Sequence, residues 1–493
     1  MPHPFRRLPS CASSVVAHLL LALRCCLGAD APQTGLAGQL LKAAEVTGGL
    51  VVHVNAGNGH LSADLHASDA FLVYGLERGP ANVTAARQHV RARRLYGPVS
   101  IEAWGDTRLP YADGLVNALV MSRGDLTVAD DEILRVLAPG GHAWVETVAD
   151  PAGTTATEAQ MTDWRRIDKP WPGDIDEWTH YLHGPDNNAV AQDKRVGPPN
   201  ALQWDAPPKF SRSHEHDTSM PAMVTAGGRV FYVVDEGPPG ITDERLAEKW
   251  FLIARDAFNG VELWRCPIPD WGWRQWDPER AGGDWAAKDN LRIHLPVTLA
   301  RRLVATESRV FVTLGYHAPV SVIDASTGTV LRTCARSTGT QEILFAGGRL
   351  LLVARTSDRQ DLLCSDPDSG EVLWERRATG AYADSTLAAS GGSVFVCDGD
   401  EVVCLGLKDG TEAWRAPLAA RLRSKHWLYP DISLVANDGV LLVLQQKTLE
   451  ARAAETGDLL WSAPGGDGYG FRLPPEAYVI DGSVFYFHRP KPK

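Results

Sequence analysis

At 493 residues, with 44% hydrophobic and 22% charged side chains, the chain has the composition of a folded globular protein of about three domains. A net charge of −11 excludes the broad basic face that phosphate backbones require, so no nucleic-acid partner is expected. Eight cysteines without a single CxxC spacing argue against a zinc site, and no metal is called for.

The first 29 residues combine Arg6 and Arg7 with an apolar run from Val15 to Leu23 and small residues at Gly28 and Ala29. That layout predicts a signal peptide over residues 1–29 and a mature protein that is periplasmic or extracellular. No later stretch reaches the ~20 apolar residues of a membrane span. Cys11, Cys25 and Cys26 would leave with the leader. Of the remaining five, Cys364 and Cys404 each stand six residues before a repeated glycine, as small apolar filler would in matching repeats.

From residue 36, helices and strands alternate. A helix over residues 36–47 leads to an apolar strand, Leu50 to Val54, and then to Asn55-Ala-Gly57-Asn-Gly59. A second strand from Phe71 ends on Glu77, and a helix from Asn82 to Arg94 precedes strands at Val99 to Ala103 and Ala118 to Met121. A helix ending near Pro139-Gly140-Gly141 leads into His142 to Val148. The alternation predicts a parallel, doubly wound α/β domain over residues 36–149.

Three segments, Val51 to Gly59, Gly105 to Asp113 and Glu132 to Gly141, make this stretch resemble a class I S-adenosylmethionine-dependent methyltransferase. The resemblance implies that Gly57 and Gly59 would let the backbone approach the cofactor. Glu77 would hold the ribose hydroxyls, and Asp106 would sit by the adenine. It is incomplete: His53 and Asn117 stand where the family carries acids, Asn55 replaces its first loop glycine, and after the fifth strand the chain turns to loop at Asp150-Pro-Ala-Gly. A domain so altered is expected to serve as structure, with S-adenosylmethionine binding as the alternative.

Residues 150–220 form a connector rich in Trp, Pro and charge. His180 and His183 lie in a stretch punctuated by Pro and Gly, where hydrogen bonding is favoured over metal ligation. Ala201 to Trp204 is expected to form an outer strand that closes a ring. The densest polar cluster, Ser211-Arg-Ser-His214-Glu-His216-Asp217, suits either a ligand surface or a loop held by ion pairs.

Residues 221–493 repeat one pattern: Asp256 to Trp264, Asp324 to Arg332, Asp366 to Trp374, Gly406 to Trp414 and Ala453 to Trp461. Each is a strand, a polar turn closed by Gly, and a second strand ending on a large side chain. The glycines at 328, 370, 410 and 457 recur every 40 to 47 residues, the period of blades or coils. The copies resemble the quinoprotein-type repeat, found in alcohol dehydrogenases that carry pyrroloquinoline quinone and in the outer-membrane assembly lipoprotein BamB. That resemblance implies a β-propeller of about six blades, each Trp docked on its neighbour. A last blade begins at Ala477 to Phe487 and lacks its Gly turn.

An insertion from Pro267 to Leu295 carries Trp271, Trp273 and Trp276, a surface suited to a protein or glycan if exposed. The expected function is therefore an exported propeller that binds a protein or glycan partner and requires no cofactor. A methyltransferase is the alternative. A quinone-dependent dehydrogenase ranks last, because the adjacent cysteines such enzymes place by the quinone occur only in the leader, as Cys25-Cys26.

Overall fold

The computed structural model describes residues 35–147, 163–195, 197, 201–209, 219–238, 247–276, 296–422, 431–466 and 475–487. The expected leader, the cluster with His214, His216 and Asp217, and the insertion beyond Trp276 lie outside the described residues.

In the first domain α1 (Leu36–Ala43), β1 (Gly49–Val54), α2 (His60–Leu65), β2 (Phe71–Glu77), α3 (Pro80–Ala92), β3 (Val99–Ala103), β4 (Val116–Met121), α4 (Asp130–Val136) and β5 (Leu137–Glu146) follow in order. The first five strands are parallel, in the order β3-β2-β1-β4-β5. Every residue of β1 is buried, as a central parallel strand covered on both faces must be. A sixth strand, β6 (Trp164–Asp168), pairs antiparallel with β5 and covers the edge that the sequence left open.

The second half is a succession of antiparallel sheets, each inner strand against the next, as in the blades of a propeller. Four-stranded blades run from β7 (Ala222–Ala226) to β10 (Glu262–Pro267), and from β11 (Leu303–Ala305) to β14 (Val330–Thr333). The next three start at β15 (Thr340–Ala346), β19 (Ala388–Ser390) and β23 (Ile432–Asn437), and of a sixth blade the described residues include two strands, β27 (Ala477–Ile480) and β28 (Ser483–Tyr486). The repeated glycines at 260, 328, 370, 410 and 457 all sit at φ between +70° and +78°, a region closed to most side chains.

Those glycines have a second duty. A Cβ at Gly328, Gly410 or Gly457 would come within 2.6 Å of the indole of Trp264, Trp374 or Trp414 from the preceding blade. The indole Nε1 of each then donates to a backbone carbonyl of the same turn, at Ala325, Leu407 and Ala454, over 2.9–3.0 Å. Trp204 makes the same contact on the first blade, lying over Gly260 with Nε1 donating to the carbonyl of Ala257. The segment 201–204 thus supplies the closing indole without forming the expected strand. Cys364 and Cys404 are buried at matching places, each facing the carbonyl that the neighbouring indole uses.

The connector holds the blades along their inner strands. Between Trp178 and Asn188 it meets the six inner strands among the described residues in chain order. The carbonyls of Trp178 and Thr179 accept the N–H groups of Thr225 and Ala305, and His180 Nε2 accepts that of Phe345. The carbonyls of Pro185 and Asp186 accept Ala389 and Ala436, and Asn188 Oδ1 accepts Val479. Each donor lies two residues ahead of its blade's hairpin turn, so one register position serves six times.

His180 shows how tightly this hub is specified. With Nε2 accepting, the proton sits on Nδ1 and faces Thr179 Oγ1 at 2.8 Å, whose hydroxyl points to the carbonyl of His183. The ring is therefore neutral, and burial, with Arg301 nearby, lowers its pKa to about 3. A histidine depressed from 6.5 stabilises the fold above that pH and loses the contribution as pH falls toward 3. Its share at about pH 5 is on the order of 2 kcal/mol. His180→Asn should flatten the acid limb of a urea-midpoint profile between about pH 7 and 5. Glu342 and Asp384, pushed up by burial, titrate in the opposite sense, so the difference between variant and parent isolates the histidine.

Candidate functional site

The cofactor position of a doubly wound sheet is at the carboxyl ends of its strands, here the loop after β1. Gly57 (φ +54°) faces open space, while Gly59 (φ +81°) lets α2 close onto Ala86. Glu77 ends β2 as expected, but its oxygens are engaged: Oε2 accepts Gly57 N–H at 2.7 Å and Oε1 accepts Gly79 N–H at 2.9 Å. Asp106 is exposed and caps its own turn through the N–H groups of Thr107 and Arg108. Gly57 and Glu77 are thus brought together, whereas Asp106 is turned to its own loop.

The departures from the methyltransferase pattern all have structural employment. His53 is buried between the hydroxyls of Ser62 (2.7 Å) and Ser122 (3.0 Å), and burial lowers its pKa to about 4, which keeps it neutral. Asn55 (φ +59°) donates to the carbonyls of Ser122 and Leu126 and accepts the Leu126 N–H. Both side chains tie the end of β1 to the loop after β4. The set fits a nucleoside poorly, because Glu77, His53 and Asn55 already bind protein partners.

Asn117, at the third departure, joins the two halves of the molecule. Its Oδ1 accepts Leu50 N–H and Asn259 Nδ2, and its Nδ2 donates to Asp256 Oδ2 at 2.6 Å, on the first repeat turn of the propeller. Burial pushes the Asp256 carboxyl up. Restoring the family's acid with Asn117→Asp should therefore set two carboxylates in contact and cost about 1–3 kcal/mol near neutral pH. Thermal melts at about pH 7.5 and pH 5 check this, since a shared proton should erase most of the loss at the lower value.

Beside this joint a cleft of about 990 Å³ opens between the amino ends of the sheet strands, the connector and the first two blades. Arg229 lies in it among Glu177, Asp256, Glu307 and Asp324, its pKa lowered by burial and raised by those carboxylates. Its Nη1 donates to the carbonyls of Gly227 and Glu307. Among the described residues no group of His, Cys, Asp or Glu is arranged to hold a metal ion.

Two tryptophans of the insertion, Trp271 and Trp276, point inward. Trp271 is 5% exposed, lies 6.4 Å from Trp250, and takes the Arg302 guanidinium over its face at 6.0 Å. Trp276 packs on Trp250 and Tyr316. Trp273 lies on the same short helical turn, Trp273–Trp276. No open aromatic platform forms from Trp271 and Trp276, because both rings are needed to cover the first blade.

Residues 249–383 and 358–492 match the family described as outer membrane protein assembly factor BamB. The second half is a BamB-like, quinoprotein-type propeller. A solved BamB from Moraxella catarrhalis is similar to it at 14% identity, covering 54% of this chain and 68% of that one, with a TM-score of 0.34. For the first domain, similar structures include a putative S-adenosylmethionine-dependent methyltransferase of Methanococcus maripaludis, at 18% identity, 29% and 67% coverage and a TM-score of 0.21. Another is such a methyltransferase from Aquifex aeolicus, at 18% identity, 26% and 75% coverage and a TM-score of 0.22. No curated protein matches the chain. No helix among the described residues is long and apolar enough to cross a membrane.

Apart from His180, whose hydrogen bonding the sequence favoured, the residues that sequence reading missed are those of the hub. Asn187 and Asn188 stood in the connector as unremarkable polar positions, yet the BamB-like propeller is assembled around them. The available signal was six inner strands ending at one register, each with an N–H that a four-stranded blade leaves unpaired.

Proposed function

We propose that this chain is an exported binding scaffold, a propeller that engages a protein partner and is carried on a methyltransferase-like domain serving as structure. The supporting observation is the exposure of large apolar side chains on the last blades, Phe485 at 54% in the sixth and Trp461 at 41% in the fifth. An apolar surface of this kind marks a protein-binding face. Cross-linking of the full chain in an extract of its native envelope, mapped by mass spectrometry, tests the reading. Links to another protein clustered at residues 459–487 are expected, and Phe485→Asp should abolish them; their absence counts against the scaffold. A glycan partner has less support, since Trp271 and Trp276 face the core.

Methyltransferase activity is the second reading, favoured by the open space in front of Gly57. Calorimetry on the full chain should detect no S-adenosylmethionine binding, because Glu77, His53 and Asn55 are engaged internally. Micromolar binding would reverse the order of the two readings. The quinone reading stays last: the connector from Trp178 to Asn188 runs where the six inner strands converge.

A further inference from the structure

Arginine opens the second strand of each of the first three blades, as Arg229, Arg309 and Arg349. In each it stands opposite the aspartate that begins the repeat turn. Arg229 pairs in register with Asp256 and Arg309 with Asp324, and Arg349 comes one step before the pair Leu350↔Ser365. Arg309 reaches across to Asp368, the third residue of the next blade's turn, and Arg349 lies 3.8 Å from Asp366 of its own turn. Arg229 has neither kind of partner. Asp256 Oδ2 is taken by Asn117 Nδ2, and the third residue of the next turn is Ser326.

The Arg229 guanidinium is held from one end. Nη1 donates to the carbonyls of Gly227 and Glu307, which ties the hairpins of the first two blades together. Nε and Nη2 donate to no described residue, and no carboxylate forms an ion pair with them. A half-buried charge in that state has a desolvation cost that no partner offsets. Arg229 lines the cleft of about 990 Å³, a volume that admits a small molecule.

Two carboxylates of the same cleft keep unused oxygens. Glu177 Oε1 accepts the Gly227 N–H, while Oε2 and both Glu307 oxygens accept nothing among the described residues. Burial raises the Glu177 pKa, and the nearby Glu307 raises it further. Asp324, by contrast, is employed in its own turn, where it accepts the N–H groups of Ser326 and Thr327. Trp171 and Phe258 form an apolar wall of the cleft, their rings edge to face at 6.0 Å.

We infer that this cleft binds a free α-amino acid with an apolar side chain. The ligand carboxylate takes Nε and Nη2 of Arg229 as a bidentate pair. Its ammonium lies between Glu177 and Glu307, and its side chain packs on Trp171 and Phe258. Phosphate fits worse, because it brings two negative charges among these carboxylates. A plain amine would leave the guanidinium without its partner. A zwitterion answers both needs. The inference is independent of the protein-partner reading, since none of these residues belongs to the segment 459–487.

Calorimetry on the full chain with L-leucine and L-phenylalanine tests it. One or both should bind with a Kd below about 1 mM. Phenethylamine, which lacks the carboxylate, and hydrocinnamate, which lacks the amine, should each bind about tenfold or more weakly than L-phenylalanine. Arg229→Gln should weaken the amino acid by about tenfold or more, whereas Arg309→Gln, at the matching place in the second blade, should bind like the parent. Arg229→Gln also removes a tie between hairpins, so Glu307→Gln serves as a second variant. Glu307 is exposed, and its exchange should weaken binding about fivefold or more with the thermal melt unchanged. The bound amino acid should slow amide exchange at residues 307 and 308. Absence of binding by both amino acids up to about 10 mM would overturn the inference. So would equal affinity for phenethylamine or phosphate, or an affinity indifferent to Arg229→Gln and Glu307→Gln.

Discussion

Asn187→Ala should lower the stability of the propeller by about 3–5 kcal/mol, the largest loss expected from any exchange outside a strand. Asn187 Nδ2 donates at 3.0 Å to the carbonyls of Leu387, just before the inner strand of one blade, and Leu434, on the inner strand of the next. Its Oδ1 accepts Arg301 Nη1 at 3.1 Å, and the residue is 4% exposed. Alanine would strand two carbonyls and part of a guanidinium out of reach of water, at roughly 1–3 kcal/mol for each group that finds no substitute. The backbone adds to the effect, since φ is +63°, which asparagine tolerates better than alanine. Urea unfolding followed by tryptophan fluorescence measures the loss. A change under about 1 kcal/mol would mean that the hub is an ornament of the ring.

Trp264→Ala should cost about 3–5 kcal/mol, whereas Trp461→Ala should cost less than about 0.5 kcal/mol. The two stand at equivalent positions of the repeat. Trp264 is 9% exposed, its ring centroid is 5.8 Å from that of Phe231, and its Nε1–H is satisfied by Ala325. Removing it empties the joint between the first two blades and orphans that carbonyl. Trp461 is 41% exposed and lies over no glycine turn among the described residues, so its removal takes away mostly hydrated surface. Parallel denaturation curves for the two variants check the contrast. An equally large loss at Trp461 would show that it is already buried by something in the free protein.

The ring was legible because its design is periodic. A glycine forced to φ near +75° marks each of the five complete blades, and an indole four residues later marks four of them, Arg332 standing in the second, whatever fills the strands between. The hub was not legible because nothing in it repeats. Each of its residues answers to a different blade, and partners such as Asn188 and Val479 lie at opposite ends of the half-chain. At residues 201–204 the expectation named the right segment and the wrong backbone, and it did not foresee the indole's part. Trp204 closes onto Gly260, but a strand needs a neighbour to pair with, and the sixth blade offers none on that side among the described residues.

In the first domain the strand pattern placed Glu77 and Gly57 beside the same loop. What spacing could not convey is that they bond to each other. His53, Asn55 and Asn117 read in sequence as losses from a catalytic template. In three dimensions they are gains, two bracing the loop after β4 and one fastening the domain to the propeller.

Repeat arrays ordinarily melt piecemeal, because each unit touches only the next. Here eleven consecutive residues, from Trp178 to Asn188, hold a strand from every blade at once, from Thr225 to Val479. No described blade can detach without breaking the spindle that also fixes the others, so these blades should open as one unit. The amides of Thr225, Ala305, Phe345, Ala389, Ala436 and Val479 should then share a single opening free energy, a synchrony that a row of independent blades could not produce.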